Sequence, residues 1–72
     1  MEVIEITTPF IKLDALLKFA ALVGSGGEAK SAVQEGFVCV NGETCTQRGK
    51  KIYPGDTVTL GDAAIKVEQA KA

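Results

Sequence analysis

From Leu13 onward the apolar residues step in threes and fours. Leu13, Leu16, Leu17, Ala20 and Val23 fall on one face of a helix over roughly 13–23, which Gly24 is expected to end. Asp14 and Lys18 on that helix form an exposed i, i+4 pair. Ala29, Ala32 and Val33 repeat the helical step in a second segment of about ten residues. Ser25 and Glu28 make a capping box at its start, and Gly36, one turn past Val33, can adopt the left-handed conformation that ends it. Elsewhere the period drops to two. Val3–Ile6 reads as a short strand that Thr7-Thr8-Pro9 breaks. Phe37–Val40 is rich in β-formers and runs into Asn41-Gly42, the dipeptide of a type I′ hairpin turn. Glu43–Thr46 should return along it, followed by a basic loop, Gln47-Arg48-Gly49-Lys50-Lys51. Pro54-Gly55-Asp56 and Gly61-Asp62 are turns flanking a strand at Thr57–Leu60. Ala63–Val67 is expected to return antiparallel, and Glu68–Ala72 to fray.

This order gives one strand, two helices joined so tightly that they pack as a corner, and then a β-meander. The class is α+β, with two short helices against a small, mostly antiparallel sheet. With 72 residues, one domain spanning 1–72 is expected. A chain of this size buries only ~60% of its unfolded surface, so its stability should be marginal. The 46% hydrophobic content suits a packed core rather than disorder.

No apolar run reaches the length of a membrane span, and the acidic, interrupted N-terminus is unlike a signal peptide. No membrane association is expected, and the default location is the cytoplasm. With two cysteines and no histidine, a four-ligand zinc site is excluded, and no metal or cofactor is expected. The hairpin register sets Cys39 opposite Thr44 and Val38 opposite Cys45, so the two thiols point to opposite faces of the sheet. Cys45 reads as a small core residue beside Val38, and free thiols fit a reducing compartment.

The net charge of −1 weighs against nucleic-acid binding, but the charge is unevenly spread. Residues 12–51 hold six basic residues against four acidic ones, while both ends of the chain are net acidic.

Several pieces then fall into order: Lys12-Leu13-Asp14, Leu17-Lys18, Ser25-Gly26-Gly27-Glu28-Ala29-Lys30, Gly36-Phe37-Val38-Cys39-Val40-Asn41-Gly42-Glu43 and Pro54-Gly55-Asp56. Together they resemble the S-four RNA-binding domain, named for small-subunit ribosomal protein four and also called the αL motif. The likeness spans residues 12–60 and is greatest to the small stand-alone bacterial branch. The resemblance implies binding to structured RNA, ribosomal or transfer, through the two-helix corner and the adjoining hairpin, and possible contact with the ribosome. Carried over by position, Lys12 stands where many members have arginine, and Lys30 matches a basic position. Gly26, Gly27 and Cys39 stand where many members carry a basic residue.

Lys12, Lys18 and Lys30 are candidate phosphate contacts, with a solvated helix face as the alternative. Arg48, Lys50 and Lys51 around Gly49 suit phosphate contact better, since Arg binds it bidentately and glycine lets the backbone approach; an ordinary polar loop is the alternative. Gly26 and Gly27 expose helix-start amides to an anion, and would equally suit a corner needing small residues. Phe37 is a candidate stacking platform for an unpaired base, although packing against the helices is the commoner use of such a residue. Tyr53 is similarly ambiguous. No base–nucleophile pairing and no phosphate-cradling loop motif occurs, so an enzyme is not expected. The reading is a monomeric RNA-binding protein. A protein-interaction or accessory module without strong RNA affinity is the alternative.

Overall fold

A computed structural model describes residues 2–71. Its elements are β1 (Glu2–Ile6), β2 (Ile11–Lys12), α1 (Leu13–Phe19), α2 (Gly26–Gln34), β3 (Val38–Val40), β4 (Glu43–Thr44), β5 (Lys51–Ile52), β6 (Thr57–Leu60) and β7 (Ala63–Gln69). Five strands form one sheet in the order β1-β7-β6-β3-β4, and β2 and β5 form a separate two-stranded ribbon. The pairings are antiparallel except β1 with β7, which is parallel. The architecture is therefore the expected α+β one, with a mixed sheet. Among the described residues no helix is long and apolar enough to cross a membrane.

Period-2 alternation decides which sheet face is covered. Ile4, Ile6, Val38, Val40, Val58, Ile65 and Val67 are buried, while their neighbours Val3, Glu5, Lys66 and Glu68 are exposed. Leu13, Leu16 and Leu17 of α1 and Ala29 and Val33 of α2 complete the same apolar cluster. Fully burying each of the larger side chains contributes about 1.5–3 kcal/mol.

Both helices end in the same motif. In α2, Gly36 takes φ 81°, its N–H donates to the Val33 carbonyl, and the Phe37 N–H donates to that of Ala32. In α1 the equivalent bonds run from Ala21 to Lys18 and from Leu22 to Leu17, with Ala21 at φ 59°. The first helix therefore stops at Phe19, not Val23, and Gly24 is not its terminator. An alanine in this conformation costs about 1–2 kcal/mol relative to right-handed backbone. That cost is offset because the early stop turns Leu22 and Val23 onto the core, where both are half-buried.

Ser25 caps α2 as expected, its Oγ accepting from Glu28 N at 3.2 Å. The reciprocal bond is displaced by one residue: the Glu28 carboxylate accepts from Gly24 N at 2.9 Å. Asp14 accepts from the neighbouring Ala15 amide at 2.8 Å.

The hairpin register is as expected, with Val40 opposite Glu43 and Cys39 opposite Thr44. Asn41 and Gly42 both have positive φ, at 52° and 86°. The return strand is shorter than expected and ends at Thr44, although Cys45 N still donates to Val38 O at 2.9 Å. Cys45 is buried, Cys39 is half-buried on the other face, and both thiols are free.

The C-terminal segment does not fray where expected. β7 continues to Gln69, whose side-chain amide donates to Ile6 O at 2.8 Å, and Ala70 N donates to the same carbonyl at 2.8 Å. The expected frayed end at Ala72 lies outside the described residues.

Candidate nucleic-acid interface

Phe10–Lys12 and the end of the basic loop pair instead of remaining irregular. Ile11 lies opposite Ile52 and Lys12 opposite Lys51. Extending that register by one step sets Phe10 opposite Tyr53, and their ring centroids are 5.9 Å apart. Ile52 is fully buried and Ile11 half-buried, so this side of the ribbon faces the core. Alternation sends Phe10, Lys12, Lys51 and Tyr53 to the opposite side. Lys51 Nζ lies 4.9 Å from the centre of the Phe10 ring, a diagonal cross-strand contact. Lys12 and Lys51 face each other directly, an arrangement of like charges that costs up to about 1 kcal/mol.

The rest of the loop is seated on the start of α1. Leu13 N donates to Lys50 O at 2.9 Å, and Asp14 N to Arg48 O at 3.0 Å. Two of the helix-start amides that lack intrahelical partners are thereby satisfied by backbone carbonyls. Lys50 N closes the loop on Gln47 O at 3.1 Å. Lys12 occupies the N-cap position with extended backbone and no side-chain cap, so its ammonium is not used in starting the helix. Lys12, Arg48, Lys50 and Lys51 are all exposed and gathered around the start of α1. An open groove of about 250 Å³ borders the loop between the 43–47 segment and Lys50, but Glu43 in its lining argues against an anion site within it.

The remaining candidates lie elsewhere. Gly26, Gly27 and Lys30 occupy the first turns of α2, and Lys18 is exposed in the last turn of α1. A side chain at Gly26 would meet nothing within 4 Å, and one at Gly27 only Ser25 Oγ at 3.8 Å. The corner therefore does not need small residues there. The Glu28 carboxylate, held at Gly24 N, places negative charge beside this helix start, where a phosphate would have to approach. Phe37 is 61% exposed and is not packed against the helices, contrary to the commoner use expected for it. It follows the C-terminal end of α2, about 14 Å along the helix from Gly26.

Phe10 escapes sequence reasoning, and Tyr53 is only half recognised by it. A signal exists: Phe10-Ile11-Lys12 and Lys51-Ile52-Tyr53 are near mirror images, as expected of antiparallel strands with like residues opposite.

Comparison with known proteins identifies the family of the fold. The S4 domain family model matches residues 4–68. A protein of Bacillus subtilis (strain 168), named "Probable ribosome maturation protein RlbA", is 44% identical over 57 residues, covering 79% of this chain and 80% of its own length. A protein of Escherichia coli (strain K12), YbcJ, named as a candidate RNA-binding protein, is 37% identical over 59 residues, covering 82% of this chain and 84% of its own.

Proposed function

Since the chain belongs to the S4 domain family, we propose that it binds structured RNA, ribosomal or transfer, without catalysing a reaction. The names of the two relatives, one for ribosome maturation and one for RNA binding, support this direction. The observation that carries the proposal is the outward face of the ribbon. Lys12 and Lys51 pair directly across the ribbon on its outward side, with the Arg48 and Lys50 backbone seated on the adjoining start of α1. A phosphate backbone would be neutralised by these cations, and releasing counterions from the RNA supplies much of the affinity. Recognition would rest on the shape and phosphate spacing of folded RNA rather than on base edges.

Lys18 and Lys30 extend the positive surface along the helical corner as secondary contacts. Gly26 and Gly27 leave the start of α2 open, but Glu28 makes it the weaker phosphate site. The protein acts as a monomer in the cytoplasm, a compartment that suits its two free thiols.

The test is a triple substitution, Arg48→Ala, Lys50→Ala and Lys51→Ala, titrated against structured ribosomal or transfer RNA at several salt concentrations. Affinity should fall at least about tenfold and the slope of log affinity against log salt should flatten by about two to three. Thermal stability should stay nearly unchanged, because the caps of α1 use loop carbonyls and exposed charges contribute little. A variant that binds with the parent's affinity and salt slope would exclude this surface.

A further inference from the structure

We propose that Tyr53 is a stacking platform for one unpaired base, so that the RNA bound at the ribbon carries a bulged or looped-out nucleotide beside its helical phosphates. This rests on the RNA reading above and narrows its ligand. Folding alone does not account for the placement of Tyr53. Tyr53 is 48% exposed, and its ring is braced by Phe10 at 5.9 Å with an interplanar angle of 50°. A tyrosine needed only for the core would be turned inward, as Ile52 beside it is.

The backbone beneath the ring is held at several points. Tyr53-Pro54-Gly55-Asp56 forms a tight turn in which Tyr53 O accepts from Asp56 N at 3.0 Å and Gly55 takes φ 98°. Tyr53 N donates to Asp56 Oδ2 at 2.8 Å, and Asp56 Oδ1 accepts from Asn41 Nδ2 at 3.1 Å. Gly55 N donates to Val67 O at 2.7 Å, tying the turn to β7. A ring on so fixed a mount loses little conformational freedom when a base stacks on it.

Charge distinguishes this aromatic from the other exposed ones. Lys51 and Lys12 lie one step along the same face, about 7 Å from Tyr53 along the strand. They are placed to hold phosphates flanking an extruded nucleotide. Phe19 and Phe37 are more exposed, at 67% and 61%, but Phe37 follows the end of α2, whose last turn holds no basic residue, and Phe19 has the single cation Lys18 beside it at the C-terminal end of α1. The aromatic pair on the ribbon therefore combines a π-face with adjacent cations, as single-stranded nucleic-acid sites do.

The test uses the full chain, which has one tyrosine and no tryptophan, so its tyrosine emission reports on Tyr53 alone. The probes are an RNA hairpin with one bulged adenosine and its fully paired counterpart, which also controls for absorption by RNA. The bulged hairpin should quench the emission and bind about tenfold tighter than the paired one. Tyr53→Ala should abolish that preference while leaving affinity for the paired hairpin and the salt slope unchanged. Tyr53→Phe should retain the preference. Equal affinity for the two hairpins, unchanged emission, or equal weakening of both by Tyr53→Ala would overturn the stacking site. If the hairpins bind equally yet both weaken in the Arg48, Lys50 and Lys51 variant, the phosphate surface stands and only the platform falls. If neither hairpin binds, both readings fall.

Discussion

The β3–β4 hairpin and the β2–β5 ribbon are both antiparallel pairs with two registered residue pairs, yet they are held together differently. The hairpin is held by its own turn. Asn41 supplies the positive φ, and its side chain then bonds outward, with Nδ2 donating to Asp56 Oδ1 and Oδ1 accepting from Thr57 N at 2.9 Å. The ribbon has no turn. Its strands come from distant parts of the chain and are aligned by burial of Ile52 and by the seating of the loop carbonyls on α1. At the hairpin, the side chain at the turn serves the fold. On the ribbon, the inward residues serve the fold, while the outward ones set the Phe10–Tyr53 and Lys51–Phe10 contacts against the pairing of like charges at Lys12 and Lys51, and remain open to a ligand.

That contrast can be broken most forcefully at Asn41. Asn41→Val puts a β-branched residue at positive φ and removes both side-chain hydrogen bonds, so it should cost about 2–4 kcal/mol. In a domain of this size the melting temperature should drop by at least about 10 °C. An unchanged Tm would refute the claim that the turn is self-supporting. Asn41→Gly sharpens the comparison, because glycine keeps the turn and loses only the side-chain bonds. Denaturant unfolding should show a smaller loss, about 1–2 kcal/mol. A loss as large as that of the valine variant would assign the whole effect to the outward bonds.

The smallest effect on stability should come from the ribbon and carry the opposite sign. Lys12→Glu replaces facing cations with a cross-strand ion pair and adds a carboxylate at the start of α1. Stability should rise by a few tenths to about 1 kcal/mol. RNA affinity at low salt should fall about tenfold. Loss of stability in this variant would mean that Lys12 and Lys51 do not repel each other.

Sequence reasoning reads the local part of the molecule well. Ser25, Gly36 and Asn41-Gly42 each announce a backbone conformation through their own chemistry, and each is used as expected. Ala21 makes no such announcement. It adopts a conformation usually left to glycine, so the end of α1 is misplaced by four residues. The pairing of β1 with β7 is equally silent, because parallel neighbours share no turn. The interface divides in the same way. Arg48, Lys50 and Lys51 stand out as a cluster of charge, while the place of Lys12 beside them and the pairing of half-buried Phe10 with exposed Tyr53 follow from a long-range register.

The parallel seam between the first and last strands also sets a timetable. Ile6 and Gln69 are separated by 63 positions, so bringing them together carries a loop-closure cost of about 2–3 kcal/mol beyond that of local contacts. The β3–β6–β7 meander should assemble early and β1 should dock last. Ile6→Val should then accelerate unfolding and leave the refolding rate nearly unchanged. Slowed refolding with normal unfolding would reverse that order. During synthesis β1 emerges well before β7 and has to wait, with its partner edge unmade, until β7 has been translated.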